Sequence, residues 1–354
     1  MSTTIKLPSQ RSTSLFFTSE FSDVTFTTDA DTNTAVVKLT CGGTVLLSTE
    51  LYVTNSSGSI SDLADLIEAH LRASWLQVAT YTLTVNDASV EFTCIYCDYT
   101  LPFNSISLEN NFLTLIDHVE THADSSISLS ALTRCSGYCL VKYIVDDTPY
   151  SAQLPDTYST APNSLTTIKV ADLLTSCQSV IPGEAYIVSF TFVLGERMKT
   201  FYLDRTTPQM RLMFTNVFNA MEYLDVVGTV VTKTKSESDS AVIGGVTTLY
   251  NRVVNRTYEV TTGAMPRYMA EAYSQLFSSR FVALIDSSSR VPATVAEVII
   301  TDSTLEPTTD NETLFTVKFT WRFADRRPRV LASEVEPLLS SVGVFSTPFT
   351  QQYS

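Results

Sequence analysis

The chain has 354 residues, enough for two or three cores, and only 17% are charged where about a quarter is usual. A net charge of −14 with a pI near 4.6 excludes a general nucleic-acid binder, because phosphates would be repelled. No apolar run reaches the ~18 residues of a membrane span.

Residues 1–14 and 340–354 lack strong periodicity and are expected to be disordered, or arms that order against neighbouring subunits. Met1–Pro8 also lacks the basic-then-apolar pattern of a signal peptide, so the protein is expected to stay in the compartment of its synthesis. Short alternating runs then recur roughly every ten residues, bounded by turn formers, which is an all-β pattern. Gly42-Gly43 falls where a β-turn is expected. Ser61 to Leu71 spaces Leu63, Leu66, Ile67 and Leu71 on one helical face, with Ser61 or Asp62 as cap. Tyr81–Val85 and Ser89–Cys94 flank Asn86-Asp87 as a hairpin.

Pro155 to Pro162 is rich in turn formers and reads as a loop. Val170 to Leu174 is a second short helical stretch. Tyr186–Val193 and Met198–Leu203 form another hairpin, whose turn contains Gly195. Lys233 to Ser240 is the most polar run, an expected exposed loop or arm, and Gly244-Gly245 marks a turn. A helix is expected over Arg267–Phe277 after Pro266. Strands follow at Phe281–Ile285, Ala296–Thr301 and Leu314–Phe323.

Two of these stretches share a skeleton. Tyr96, Asp98, Thr100 and Pro102 match Tyr202, Asp204, Thr206 and Pro208 at an offset of 106, and Asn110 and Phe112 match Asn216 and Phe218. Ala64-Asp65-Leu66 repeats as Ala171-Asp172-Leu173, one residue from that register. The expected fold is mainly β: tandem β-sandwich-like units made by internal duplication, each with a short helix, and a C-terminal β domain. Residues 1–125 form β unit 1, 126–225 form β unit 2 repeating it, and 226–354 form the C-terminal domain with one short helix and a terminal arm. Ile300 to Pro307 echoes the Asp-x-Thr-x-Pro skeleton too loosely to make a third copy.

The residues announce no reaction. Cys94-x2-Cys97 and Cys135-x3-Cys139 could be paired as a four-thiolate zinc site, but the sister positions of Cys94 and Cys97 are Thr200 and Leu203. Buried reduced thiols are the expected state. His118 and His122 lack the Glu that a zinc-protease helix needs, since Val119 follows the first histidine. No nucleophile elbow, phosphate loop or dinucleotide fingerprint occurs. Asp98 and Asp204 fit turn chemistry better than cation or sugar binding, and Tyr96, Tyr202, Phe112 and Phe218 fit strand packing. No catalytic, cofactor-binding or metal-ligating residue is therefore assigned, no cofactor is expected, and the chain is not expected to be an enzyme. Arg322, Arg326, Arg327 and Arg329 form a basic cluster that is either a solvated strand end or a docking patch for an acidic neighbour.

Phe315 to Pro328, with Phe201 to Val227 and Tyr250 to Thr262, resembles uncharacterised proteins of phages and prophages of gut Bacteroidota that look like tail or baseplate virion components. The resemblance covers about residues 200–330 and carries no functional residues. It implies a virion structural protein, a subunit of an oligomeric ring or sleeve in the tail, neck or baseplate. Its expected partners are itself and other virion proteins, with no direct contact to nucleic acid or membrane. The alternative is a receptor- or polysaccharide-binding module of a fibre or adhesin.

Overall fold

The computed structural model describes residues 3–8, 15–29, 33–100, 112–195, 197–286, 292–307 and 314–325. Of these residues, 62% are strand and 12% helix, so the chain is mainly β and sandwich-like in class. The first part runs β1 (Thr4–Lys6), β2 (Leu15–Phe17), β3 (Val24–Thr27), β4 (Thr34–Cys41), β5 (Thr44–Tyr52), β6 (Ser57–Ile60), α1 (Leu63–Ala73), β7 (Val78–Val85) and β8 (Ala88–Ile95). Its main sheet has the order β2-β8-β7-β4-β5, and β1-β3-β6 form a small second sheet. Period-two burial selects the inner face: Ala35, Val37 and Leu39 on β4 and Tyr81, Leu83 and Val85 on β7 are buried. Helix α1 lays Leu63, Ile67 and Leu71 into the same core. Asp62 occupies the N-cap position of α1, in a left-handed conformation and without the expected side-chain capping bond.

The second part runs β9 (His118–His122), β10 (Ser126–Leu129), β11 (Cys135–Val145), β12 (Thr148–Thr160), β13 (Thr166–Lys169), α2 (Val170–Cys177), β14 (Tyr186–Leu194) and β15 (Arg197–Asp204). Its main sheet, β9-β15-β14-β11-β12, has the connectivity of the first: two antiparallel hairpins side by side, and an earlier strand added parallel to the last. The small pair β10-β13 corresponds to β3-β6. The first-hairpin turn is Gly42-Gly43 in one sheet and Asp146-Asp147 in the other, all at positive φ, as a two-residue hairpin turn requires.

The shared wording does not follow this wiring. The closing pairs of the second hairpins, Val85↔Ala88 and Leu194↔Arg197, lie 109 residues apart, not 106. Tyr96 consequently follows β8, whereas Tyr202 sits inside β15. A shift of three is odd, so it exchanges the two faces of a strand. Tyr96 is buried in the core around α1, while Tyr202 lies on the opposite side of its sheet with His118 and Tyr268.

The remaining elements are β16 (Met210–Thr215), β17 (Met221–Val226), β18 (Gly228–Ile243), β19 (Val246–Thr262), β20 (Met265–Pro266), α3 (Arg267–Ser278), β21 (Val282–Asp286), β22 (Ala293–Pro307) and β23 (Leu314–Phe323). They build one sheet of order β17-β16-β21-β22-β23-β19-β18, with β20 against β23. Two expectations are corrected here. Lys233–Ser240 is strand, not loop, because each residue pairs across to β19. Pro155–Thr160 is strand too, on the sheet-edge strand β12, where a missing N–H is tolerated. The strand expected over Ala296–Thr301 is longer, running from Ala293 to Pro307 as β22.

The expected boundaries also shift. Strand β9 lies before residue 125 yet pairs with β15 of the second sheet. Strands β16 and β17 lie before residue 225 yet belong to the C-terminal sheet. The second sheet and the C-terminal sheet share one continuous core, from Phe112 to Phe323. The first keeps its own core and meets the rest through a small cluster of Phe17, Ile95, Cys97, Leu113, Val217 and Phe218.

Candidate functional site

The four paired cysteines do not converge. Cys94 lies in the core around α1, Cys97 in the joining cluster and Cys139 in the second core, and none of the six forms a disulfide. Burial pushes the Cys97 thiol up to about 11 and Cys139 up to about 12, and Cys94 higher still. Metal-binding thiolate is thus the disfavoured form at neutral pH. Among the described residues no three His, Cys, Asp or Glu side chains are placed to hold a metal ion.

His118 and His122 share one face of β9, a sheet-edge strand rather than a helix. His118 packs against Tyr202 and Tyr268, and His122 is buried with its Nδ1–H donating to Thr206 O at 2.7 Å. Asp204 accepts from Thr206 N (3.0 Å) and Thr206 Oγ1 (2.7 Å), which is the expected turn chemistry. Asp98 differs. It accepts from Tyr96 Oη at 2.8 Å and from Arg280 Nη2 at 2.8 Å, tying the first unit to the end of α3. Tyr96, Phe112 and Phe218 are buried, while Leu101, Pro102 and Asn110 lie outside the described residues.

A buried polar network joins β9, β15 and the segment after β9 to β16 and β17, and no sequence motif announced it. Lys199 Nζ meets Glu222 Oε2 at 2.5 Å, both nearly inaccessible. Asn216 donates to Leu113 O (2.7 Å) and Glu222 Oε1 (3.1 Å), and its Oδ1 accepts from Phe218 N and Ala220 N. Arg211 bridges Asp124 (2.5 Å) and Asp225 (3.4 Å), and Ser125 Oγ–H donates to Asp225. Burial pushes the Asp225 carboxyl up. Burial, with the Asp204 hydrogen bond and charge, pushes Glu120 up to about 8, while the same hydrogen bond holds Asp204 well below the carboxylate range. Glu120 and Asp204 thus share one proton near neutral pH. Most of these charges find partners inside the chain, so the network works as cement between sheets. A cavity of about 200 Å³ beside it, lined by Asp98, Tyr99, Thr215, Asn216, Ser278 and Arg280, is polar, and the Asp98–Arg280 pair forms part of its wall.

The feature with outward-facing potential is the β18–β19 hairpin. The two strands pair from Gly228↔Thr262 to Ile243↔Val246, but β19 pairs with β23 only over Tyr258–Thr261. Beyond Lys233↔Thr257 the hairpin stands as a two-stranded arm, reaching about 35 Å at ~3.3 Å per residue. Gly244 and Gly245, at φ 63° and 82°, make its tip turn. Val242, Ile243, Val246 and Leu249 around that turn are 61–72% exposed. The polar run within β18 sits on this arm, where Lys233 pairs with Glu259 and Lys235 with Glu237. Arg322 is exposed at the end of β23, and Arg326, Arg327 and Arg329 lie outside the described residues.

No described helix is long and apolar enough to cross a membrane. No protein-family model matches the chain, and no curated protein matches it either.

Proposed function

We propose that the chain is a bacteriophage virion structural protein, a subunit of an oligomeric ring or sleeve in the tail, neck or baseplate, made in the host cytoplasm and working by protein–protein assembly. The observation that carries this reading is the arm. An isolated two-stranded hairpin is only marginally stable in water, and this one exposes an apolar tip while no other described strand pairs with its outer length. Such an element gains most by adding to another protein. The resemblance supports the reading, since its segments coincide with β15–β17, with the arm strand β19 and with β23, the strand to which β19 pairs at the root of the arm. The matched connectivity of the two five-stranded sheets supports a second part of the proposal, that they are copies of one building unit. Mass photometry of the full chain tests the main claim. A discrete multimer of the 39.1 kDa subunit is expected, and a monomer throughout the accessible concentration range would contradict it.

A second reading, glycan binding, has one observation in its favour. Tyr143 and Tyr150 face each other across β11 and β12 with ring centroids 5.7 Å apart, and Tyr150 is half exposed. Sugar faces stack on such rings. Glycan-array binding by a monomeric chain, lost in Tyr150→Ala, would favour this reading over assembly.

A further inference from the structure

We infer that the arm of one copy docks along the outer edge of β5 in the next copy, extending the first sheet by strand addition. This rests on the assembly reading above and names its two surfaces.

Sheet edges invite pairing, and proteins usually blunt them with charge, proline, shortness or cover. Of the four outer strands of the two five-stranded sheets, three follow that rule and one does not. Strand β2 is three residues long and buried. Strand β9 is five residues long with α3 and β17 packed on it. Strand β12 carries Pro149 and Pro155. Strand β5 is nine residues long, holds no proline, and has Glu50 as its single charge. Among the described residues no strand lies on its outer side. Along it Leu46, Leu47 and Leu51 are only partly buried against the first core, and Val45 and Tyr52 are 48% and 89% exposed. The first core is thus left unfinished along this edge, whereas the equivalent edge of the second sheet is guarded.

The arm supplies what that edge lacks: a partner strand with an apolar end. Charge favours the match as well. Residues 1–111 hold 4 Lys+Arg against 12 Asp+Glu, and the outer arm, residues 233–257, holds 4 against 2. An arm meeting a different surface of the next copy is a heterologous contact, the kind that builds closed rings or open helical sleeves. A β5-to-β5 pairing would instead stop at a two-fold dimer and leave the arm tip in water.

Two variants test this by complementation, each first checked for an unchanged cooperative melt of the body. One replaces residues 236–254 by Gly-Gly, keeping the Lys235↔Asn255 pair as the closing rung. The other combines Val45→Lys and Ser48→Lys, both exposed positions on β5. Each alone should be monomeric by mass photometry. Mixed, they should give a one-to-one dimer and nothing larger, because only one intact arm meets one intact edge. Assembly by the arm-shortened chain alone would overturn the inference in favour of an arm-independent contact. Assembly by the lysine variant alone would show that the arm docks elsewhere, and a mixture that stays monomeric would also overturn the proposal. In the last three cases the intact chain still forms its multimer and the assembly reading stands, whereas a monomeric intact chain sinks both.

Discussion

The two five-stranded sheets are wired alike, yet they are finished differently. The first buries one face under α1 and leaves the other lined by hydroxyls, with Thr80 bonded to Thr93 and Thr84 to Ser89 across β7 and β8. The second also has α2 in its core, but α3 and β17 pack on β9 at its edge. In hairpin register Val90 of the first corresponds to Lys199 of the second, opposite Leu83 and Phe192 respectively. Where the first sheet has a half-buried valine, the second sends a lysine to Glu222 on β17. One connectivity therefore serves both as a self-contained unit and as part of a larger body. The difference lies in a few side chains, Lys199 in place of Val90 among them.

That comparison can be broken most forcefully at Lys199. Replacing it with valine makes the second sheet resemble the first but strands Glu222, a buried carboxylate, and should cost about 3–5 kcal/mol in denaturant melts. Adding Glu222→Gln to that variant should recover at least half of the loss. Core truncations sharpen the same contrast. Ile67→Ala on α1 and Leu173→Ala on α2 should each cost about 2–5 kcal/mol. Hydrogen exchange separates them: lost protection should stay within residues 15–100 for the first and spread over 112–323 for the second. Loss spread alike in both would mean that the cores are not separate.

A pH series addresses the second sheet alone. Glu120 has an ordinary pKa of 4.5 and a folded value of about 8. The folded state binds the extra proton, so its contribution is complete below about 4.5, declines as pH rises, and is lost above about 8. Asp204, whose value is lowered, contributes fully above 3.8 and loses that contribution only in stronger acid. Melting temperature should therefore fall between pH 5 and 9, and Glu120→Gln should flatten this fall. The smallest effect is expected at the junction. Arg280 bonds Asp98 and Glu68 but is half exposed, so Arg280→Ala should cost less than about 1 kcal/mol.

Much of the architecture was legible because it is written in local periodicity. Leu63, Ile67 and Leu71 mark α1, Gly195 marks the β14–β15 turn, and β23 occupies the expected Leu314–Phe323. Whether Lys233–Ser240 is loop or arm stayed open in the sequence because a hairpin exposed on both faces needs no apolar alternation. Its Lys, Ser, Glu and Asp residues then look like linker while their backbones pair normally. The repeated Tyr-x-Asp wording misled in another way, since three residues of slip place Asp98 in an ion pair and Asp204 in a turn. The network around Glu222 was invisible, because Lys199 on β15 and Asn216 before β17 meet on Glu222 only in the folded chain, and neither sits in a motif.

A reconstruction of the intact chain by electron cryo-microscopy tests the central claim most directly. The account predicts a closed ring or stacked sleeve in which each β18–β19 arm lies within the contact between subunits. Single subunits, or a multimer whose arms all point into solvent, would contradict it.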